Sequence, residues 1–323
     1  MKGFDSKFKN LPDYILKITY QIWEKKDVES IMEYYAKDIP VRSPQGIIFG
    51  PESVVKATYS TLHEFPDRQL LGEDVIWIGN EIDGFLSSHR ILTRATHLND
   101  GVYGKATGKK LVYRVIADCA CRNNQVYDEW LVRDQGAIVR QIGMDPKTYA
   151  SKLIVEEGGM KNCSVPFNND TSVKSNYVPP SIPIINTGKH YADNLSAIMN
   201  NEKGAIENSY DRAAQQEQPG GFTVYGTEQI GNFWMTLRSA FPDAKFSIEH
   251  ISFTEEKDQF KKAAVRWALI GKHSGKGNFG DPSNADVYVM GICHAEFGPQ
   301  GIKNEWVLFD ETMIWKQILI KTG

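Results

Sequence analysis

The segment EWLVRD at residues 129–134 recurs as EWVLFD at residues 305–310, an offset of 305 − 129 = 176. Chance identities would not keep one register over a long stretch, so we interpret the two halves as copies of one fold. Two copies are too few for a solenoid, which needs three or more units. The same offset aligns three further features without a gap: Phe65-Pro66-Asp67 with Phe241-Pro242-Asp243, Arg90 with Arg266, and His97 with His273.

Length and composition indicate a globular protein of two domains. The chain has 323 residues, and its 41% hydrophobic content can build proper cores, which excludes a disordered or fibrous protein. A net charge of −3 without a clustered basic stripe argues against nucleic acid as a partner. No stretch reaches the ~18 apolar residues that span a bilayer. We therefore expect a cytoplasmic protein with no membrane partner, and its four cysteines as reduced thiols.

Each copy begins with helices and ends with consecutive strands. Apolar residues at spacings of three and four predict a helix over 11–24, and Gly50-Pro51-Glu52 begins another that ends before Phe65-Pro66. This order predicts an α+β domain, with helices packed on one face of a mostly antiparallel sheet. From residue 70 the period shifts towards two, which predicts strands at 70–78, 85–97, 111–122, 125–134 and 137–142 and at their partners 176 residues later.

The domain organisation follows from the repeat. We expect a first domain over residues 11–155, a linker over 156–187 and a second domain over 188–323. Pro179-Pro180 and Pro183 favour extended backbone, so the linker is predicted to be semi-rigid. Pairing of the copies through their sheets would give an intramolecular pseudo-dimer, whereas a sheet face left exposed on each copy would drive homo-oligomers.

Strand alternation assigns candidate site residues to faces. Trp130 and Asp134 share one face of the fourth long strand, as do Trp306 and Asp310 in the second copy. If that face is concave, desolvation would raise the pKa of each aspartate and suit it to proton transfer. A strand-end aspartate that pairs with an arginine or caps a turn is the alternative, and the sequence leaves both open.

The preceding strand differs between the copies. Asp118 and Ala120 share a face in the first copy, where the second has His294 and Glu296. This difference favours the second copy as the better-equipped site, although an exposed cross-strand salt bridge would give the same pair.

His97 and His273 each end the second long strand, just before a glycine-containing loop. There a structural hydrogen bond is the alternative to a catalytic role. His273, His294 and Glu296 lack the HxH or HExxH spacing of metal ligands, so we predict no metal site.

Together these motifs resemble a known family. Phe-Pro-Asp before the first long strand, an arginine in the second, a histidine turn with a glycine loop, and EWxxxD before an apolar tail are similar to the SnoaL-like polyketide cyclases of the nuclear transport factor 2-like superfold. Both copies match. The resemblance implies two tandem cone domains, each a curved, mostly antiparallel sheet wrapped around N-terminal helices and enclosing an apolar pocket.

The resemblance also implies a chemistry. The family's characterised cyclases close a polyketide ring by intramolecular aldol condensation without metal or cofactor, using an acid/base aspartate at the end of an EWxxxD strand. That residue maps to Asp134 and Asp310. The family's accessory Gln and His, two residues apart on the previous strand, fall on Asp118 and Ala120 in one copy and on His294 and Glu296 in the other.

We therefore predict cofactor-independent acid/base chemistry on a small apolar carbonyl compound of polyketide or ester type. A non-catalytic small-molecule-binding or interaction protein of the same fold is the alternative. The candidate catalytic residues are Asp310, Asp134, His294, Glu296, His273 and His97. The candidate substrate-binding residues are Trp306, Trp130, Asp118, Arg266 and Arg90.

Overall fold

A computed structural model describes residues 1–166, 175–181 and 186–323 of the chain. Within these residues the chain forms two halves of the same design, each built on a six-stranded sheet. The rest of the predicted linker, residues 167–174 and 182–185 with Pro183, lies outside the described residues. The domain boundaries stay a prediction.

The first half begins with α1, Leu11–Thr19. Asn10 accepts a hydrogen bond from the amide of Asp13 at its start, and its apolar stripe is buried. A turn of π-helix, Tyr20–Glu24, continues it. The remaining elements are α2 (Ile31–Tyr34), β1 (Pro40–Ser43), β2 (Gly46–Phe49), α3 (Gly50–Glu64), β3 (Gln69–Asn80), β4 (Gly84–Thr96), β5 (Lys110–Arg122), β6 (Gln125–Arg133), α4 (Gln135–Ile142) and α5 (Pro146–Glu156).

The second half repeats this order. Asn186 caps its first helix by accepting a hydrogen bond from the amide of Lys189, as Asn10 does in the first half. Its elements are α6 (Thr187–Met199), α7 (Ala205–Ser209), β7 (Tyr210–Gln218), β8 (Phe222–Tyr225), α8 (Gly226–Ala240), β9 (Lys245–Thr254), β10 (Lys261–Lys272), β11 (Asp286–Gly298), β12 (Gly301–Phe309) and α9 (Glu311–Thr322).

The two sheets have the same topology. Their strand orders are β2-β1-β6-β5-β4-β3 and β8-β7-β12-β11-β10-β9. Neighbours are antiparallel, except that β1 pairs parallel with β6 and β7 with β12. The register is also shared, since Arg90 lies opposite Ile116 and Arg266 opposite Ile292. The α+β fold and its mostly antiparallel sheets are thus confirmed.

Two details of the sequence prediction are wrong. Residues 137–142 are not a strand but part of α4, because Asp134 accepts a hydrogen bond from the amide of Ala137 and so caps a helix. The short hairpin of β1 and β2 was missed, because strands of four residues carry too little alternation to be recognised.

The two halves pack sheet against sheet, around a shared apolar cluster that includes Ile116 and Val132 from one sheet and Ile292 and Leu308 from the other. Tyr177 of the linker is buried in the same cluster. The second half thereby covers the sheet face of the first. The two sheets therefore pack against each other within one chain.

Reciprocal contacts give this interface an approximate twofold symmetry. The guanidinium of Arg90 stacks 3.5 Å from the ring centroid of Trp306, and that of Arg266 stacks 3.8 Å from the ring centroid of Trp130. Such cation–π contacts gain strength when desolvated. Each arginine therefore docks on the tryptophan of the opposite half.

Candidate functional site

The two faces of the first sheet have different neighbours. Trp130 and Val132 on β6 face the second half and belong to the interface cluster. Glu129, Leu131 and Arg133 alternate with them and face the helices of their own half, where they line a cavity. The concave face of the sheet therefore carries Glu129, Leu131 and Arg133, and Trp130 lies on the opposite face.

This inner cavity lies inside the first cone, between α1, α3 and the concave face of the sheet, and has a volume of about 150 Å³. A cavity of that size can enclose one benzene-sized ring. Its wall is mainly apolar, with a smaller set of polar groups, as expected of a small-molecule site. Those groups include Tyr35, Arg68, His89, Thr93, Glu129 and Arg133.

Glu129 is the carboxylate of the inner cavity. Its side chain is buried, and its Oε2 atom has no hydrogen-bond partner in the described part of the chain. Burial raises the pKa of Glu129 to about 7, the negative charge of Asp128 adds to the effect, and a hydrogen bond from Tyr35 opposes it. A group with that pKa can both accept and release a proton near neutrality.

His89 and Thr93 place two more polar groups along the wall. Nε2 of His89 and Oγ1 of Thr93 are buried without hydrogen-bond partners among the described residues. Burial, reinforced by the charge of Arg90, lowers the pKa of His89 to about 3, so the imidazole is neutral at physiological pH. Leaving a buried polar atom unsatisfied costs about 1–3 kcal/mol, which hydrogen bonds to a ligand would recover.

In the second cone, larger rings fill positions whose counterparts line the inner cavity of the first cone. Ile91 of the first copy becomes Trp267, Thr58 becomes Trp234 and Val115 becomes Gly291. A β-carbon at Gly291 would overlap the indole of Trp267, so the glycine makes room for the larger ring. Trp234 and Trp267 are fully buried and meet edge to face at 6.3 Å. The expectation that the second copy has the better-equipped site stays a prediction, and these buried rings do not favour it.

Glu305, the counterpart of Glu129, shows the same contrast. The hydroxyls of Tyr191 and Tyr210 donate hydrogen bonds to it at 2.5 and 2.9 Å, and the amide of Gln216 donates another at 2.6 Å. Both of its oxygens are thus occupied by protein donors. Glu305 is part of a closed hydrogen-bonded core, not of a cavity.

An outer cavity of about 580 Å³ adjoins the inner one. The two share several wall residues, among them Val41, Leu131 and Arg133. Across from the first cone, the outer cavity is lined by Asp310, Met313 and Lys316 of the second half. A ligand larger than one ring would extend from the inner cavity into this space.

Asp310, a predicted catalytic residue, lies in the wall of the outer cavity and caps α9. Its Oδ1 accepts hydrogen bonds from the amide of Thr312 at 2.9 Å and from that of Met313 at 3.3 Å. Burial raises the pKa of Asp310 to about 7 against these hydrogen bonds. Its catalytic role stays a prediction.

Asp134 occupies the equivalent position and lines, together with Trp306, a separate cavity of about 430 Å³. Besides capping α4, it accepts hydrogen bonds from the amides of Gly220, at 2.8 Å, and Gly221, at 3.2 Å. These glycines lie in the hairpin 219–221, which is one residue longer than its counterpart 44–45 in the first half. Burial raises the pKa of Asp134 to about 6 despite these amides.

The other predicted residues of this face lie in the interface. Arg266 donates a hydrogen bond to Asp118 at 2.6 Å, and Arg90 lies 3.2 Å from Nδ1 of His294. Asp118 and His294 are equivalent positions, so the two contacts are related by the approximate twofold axis. Glu296 accepts a hydrogen bond from Asn304 at 3.0 Å. Trp130 and Trp306 stack on guanidinium groups, and Trp306 also lines a cavity with Asp134, so their substrate-binding role stays a prediction.

The two predicted histidines at the glycine loops lie away from both cavities. His97 is buried, with Nε2 3.1 Å from Glu64 and Nδ1 3.2 Å from Thr107, and so ties α3 to the loop. His273 contacts Ser283 at 3.0 Å through Nδ1. The structural alternative for these histidines fits the contacts they make.

Sequence reasoning missed Glu129, His89, Arg68 and Arg133. The difference between the copies could have revealed three of them, His89, Arg68 and Arg133, but not Glu129, which is a glutamate in both copies. Their counterparts are Glu305, Val265, Ala244 and Phe309. Polar residues in one copy that become apolar in the other mark a face whose chemistry only one copy needs.

Two further observations concern the described residues, 1–166, 175–181 and 186–323. In that part of the chain, no group of three or more His, Cys, Asp or Glu is placed to hold a metal ion. None of the helices described there combines the length and the apolar character needed to cross a membrane.

Comparisons with known proteins address the second half directly. The family model for SnoaL-like polyketide cyclases matches residues 194–318. Among curated proteins, none matches the chain.

Several solved structures are similar to parts of the chain. Wild-type IdmH from Streptomyces antibioticus is 20% identical, with a TM-score of 0.37, over 41% of this chain and 98% of that one. TsrD from Streptomyces laurentii is 13% identical, with a TM-score of 0.35, over 42% of this chain and 98% of that one. A protein from Jannaschia sp. CCS1, provisionally named a SnoaL-like polyketide cyclase, is 17% identical, with a TM-score of 0.35, over 44% of this chain and 97% of that one.

The family model and the shared topology of the two halves confirm the resemblance and the fold class predicted from the motifs. The chain is similar to the SnoaL-like polyketide cyclases in its second half, which carries the match to the family model, and its first half has the same α+β topology.

Proposed function

We propose that the first cone performs acid/base chemistry on a small, largely apolar carbonyl compound, with Glu129 as the group that removes and returns a proton. The observation that carries this proposal is the Oε2 atom of Glu129, which has no hydrogen-bond partner among the described residues and lies in the wall of a cavity. The equivalent glutamate of the second cone, Glu305, is occupied by three donor side chains. The protein's own residues supply the proton transfer.

The polar wall suits the formation of an enolate. Ionised Glu129 would take a proton from the carbon next to the carbonyl group, and the negative charge would develop on the carbonyl oxygen. Thr93 and neutral His89 offer hydrogen-bond donors in the same cavity. Donors already in place where charge develops stabilise a transition state strongly. The apolar wall keeps water from competing.

The size of the site bears on the substrate. The inner cavity admits one ring, while the outer cavity has room for the rest of a larger molecule. Polyketide-derived and ester compounds with a reactive carbonyl fit this description. Asp310, with its pKa near 7, would meet the outer part of such a ligand.

A ring ketone tests the proposal without knowledge of the natural substrate. Cyclohexanone fits the inner cavity, and exchange of its α-protons in D₂O can be followed by proton NMR. We expect the wild-type protein to accelerate exchange over buffer, and Glu129→Gln to reduce that acceleration by ~10²–10⁴. Glu305→Gln is the matched control in the second cone and should keep full activity, with circular dichroism to check folding.

A second measurement separates catalysis from binding. Native mass spectrometry of the freshly purified protein would reveal a retained small molecule. If that molecule is recovered unchanged after incubation and the wild-type protein does not accelerate exchange, the first cone is a binding module and the catalytic proposal is wrong.

A further inference from the structure

Two arginines of the first cone have no acidic partner in the described part of the chain. Arg68 and Arg133 both line the inner cavity, and Arg133 also lines the outer one. Within the described residues, neither forms an ion pair with a carboxylate, although seven other arginine contacts of that kind occur there. The Nε atom of each is buried without a hydrogen-bond partner. Buried charges are normally paired, so this pair needs an explanation.

The neighbours of the two arginines do not neutralise them. Arg68 interacts with the hydroxyl of Tyr113, and Arg133 with that of Tyr103, so these partners are phenols and not carboxylates. Burial lowers the pKa of Arg68, and the positive charge of Arg133 lowers it further. Two like charges thus face one cavity and repel each other. An anion between them would relieve both the repulsion and the missing hydrogen bonds.

Glu129 is not that anion, although it lies in the same wall. The pKa of Glu129 is set by burial, by Tyr35 and by Asp128, and neither Arg68 nor Arg133 contributes. The cavity therefore has a proton-accepting group and, apart from it, a cationic pair.

The second cone shows that the fold itself does not need these arginines. Their counterparts in the second cone are Ala244 and Phe309, both buried and apolar. The second cone packs around its tryptophans without any charge at these positions. Since only the first cone has the arginine pair, we connect the pair with the ligand that the inner cavity binds.

We propose that the ligand of the first cone bears a carboxylate, which Arg68 and Arg133 bind while Glu129 meets the carbon to be deprotonated. The planar guanidinium group matches a carboxylate with two parallel hydrogen bonds, which a lysine could not provide. This inference deepens the proposed function and depends on it for the choice of cavity. It names the substrate class as a small carbonyl compound with a carboxylate.

Benzoate and benzamide, which differ in charge but hardly in shape, test the inference on the full-length protein by isothermal titration calorimetry. We expect benzoate to bind at least roughly tenfold more tightly than benzamide, because charged hydrogen bonds are the stronger ones. Arg68→Met and Arg133→Met should each weaken benzoate binding by roughly tenfold to a hundredfold and change benzamide binding little. Arg94→Met, at an exposed arginine of β4, is the control and should change neither.

Equal affinity for benzoate and benzamide in the wild-type protein would overturn the inference, as would benzoate binding unaffected by both arginine variants. If a methionine variant does not fold, Arg68→Lys keeps the charge but loses the planar fork, and intermediate benzoate affinity is expected. Failure of the proposed function has a different signature. In that case cyclohexanone exchange is absent while the preference for benzoate and its dependence on arginine remain.

Discussion

Glu129 and Glu305 occupy the same position on β6 and β12, yet only Glu129 keeps a carboxylate oxygen without a hydrogen-bond partner in the described structure. In the second cone two tyrosines and a glutamine enclose the carboxylate. In the first cone the carboxylate faces a cavity. The same residue is therefore structural in one half and available for chemistry in the other.

The raised pKa of Glu129 makes stability depend on pH. Its pKa is about 7 in the folded protein, against an ordinary value of 4.5, so the folded state holds a proton that the unfolded state has lost between these values. Stability therefore falls as pH rises through this window. Relative to Glu129→Gln, the wild-type protein should lose on the order of 3 kcal/mol in its free energy of unfolding between pH 4 and pH 8.

Urea unfolding at pH 4, 6 and 8 measures this difference. Glu156→Gln, at an exposed position of α5, is the control, and its free energy should follow that of the wild type at every pH. Parallel curves for wild type and Glu129→Gln would contradict a raised pKa.

Asp310 and Glu129 can be ranked by the same exchange assay. Asp310→Asn keeps the cap of α9, because Asn caps helices as well as Asp does. Since cyclohexanone fits the inner cavity and Asp310 lies in the outer one, Asp310→Asn should reduce exchange by much less than Glu129→Gln. A loss as large as that of Glu129→Gln would instead support Asp310 as the base predicted from the EWxxxD motif.

Asp134 should matter for stability, not for turnover. Its carboxylate holds the amides of Gly220, Gly221 and Ala137, which an asparagine could satisfy only in part. We expect Asp134→Asn to lower the free energy of unfolding by about 1–3 kcal/mol, measured in urea, with cyclohexanone exchange unchanged. Reduced exchange at intact stability would show that Asp134 takes part in the chemistry.

The interface pair of Asp118 and Arg266 makes a sharper stability prediction. Both side chains are buried, and their hydrogen bond of 2.6 Å joins the two halves. Asp118→Ala removes one of the two carboxylates paired with the buried Arg266, since Glu249 stays 3.3 Å from its Nε atom, and should cost about 1–3 kcal/mol. The double variant Asp118→Ala with Arg266→Met should recover part of that loss. Additive losses in the two single variants and the double variant would argue against direct coupling.

The second cone predicts a large cost for removing its central ring. Trp267 is fully buried against Trp234, Phe246 and Phe309. Trp267→Ala should lower the free energy of unfolding by about 3–5 kcal/mol in urea titrations. Exchange catalysed by the first cone should continue under conditions where the variant is folded. Loss of exchange in the folded variant would mean that the second cone also takes part.

The repeat allowed the fold to be predicted from the sequence, because a shared register of motifs depends on local residues. The α+β order followed from the change of period after Phe65. The sequence did not, however, predict which face of the first sheet lines the inner cavity. Alternation shows that Trp130 and Asp134 share one face and Glu129 the other, but it does not show which face meets the helices and which meets the second sheet.

The difference between the interiors of the two cones could not be predicted from the sequence pattern either. His294 and Glu296 are additional candidate catalytic residues in the second copy when only the sequence is considered. In the structure, His294 contacts Ser88 and Arg90 across the interface. The free volume inside each cone decides whether it can hold a ligand, and this volume depends on tertiary packing. Only the structure shows that the rings at Trp234 and Trp267 meet in the middle of the cone.

The hairpin 219–221, one residue longer than its counterpart, has a consequence for how such proteins evolve. In an assembly of two identical subunits, a mutation that changes a loop in one subunit changes the same loop in the other. When both cones are encoded in one gene, a single inserted residue can place the amides of Gly220 and Gly221 on Asp134 without changing the surroundings of Asp310. Duplication followed by fusion thus allows the two cones to diverge independently of each other.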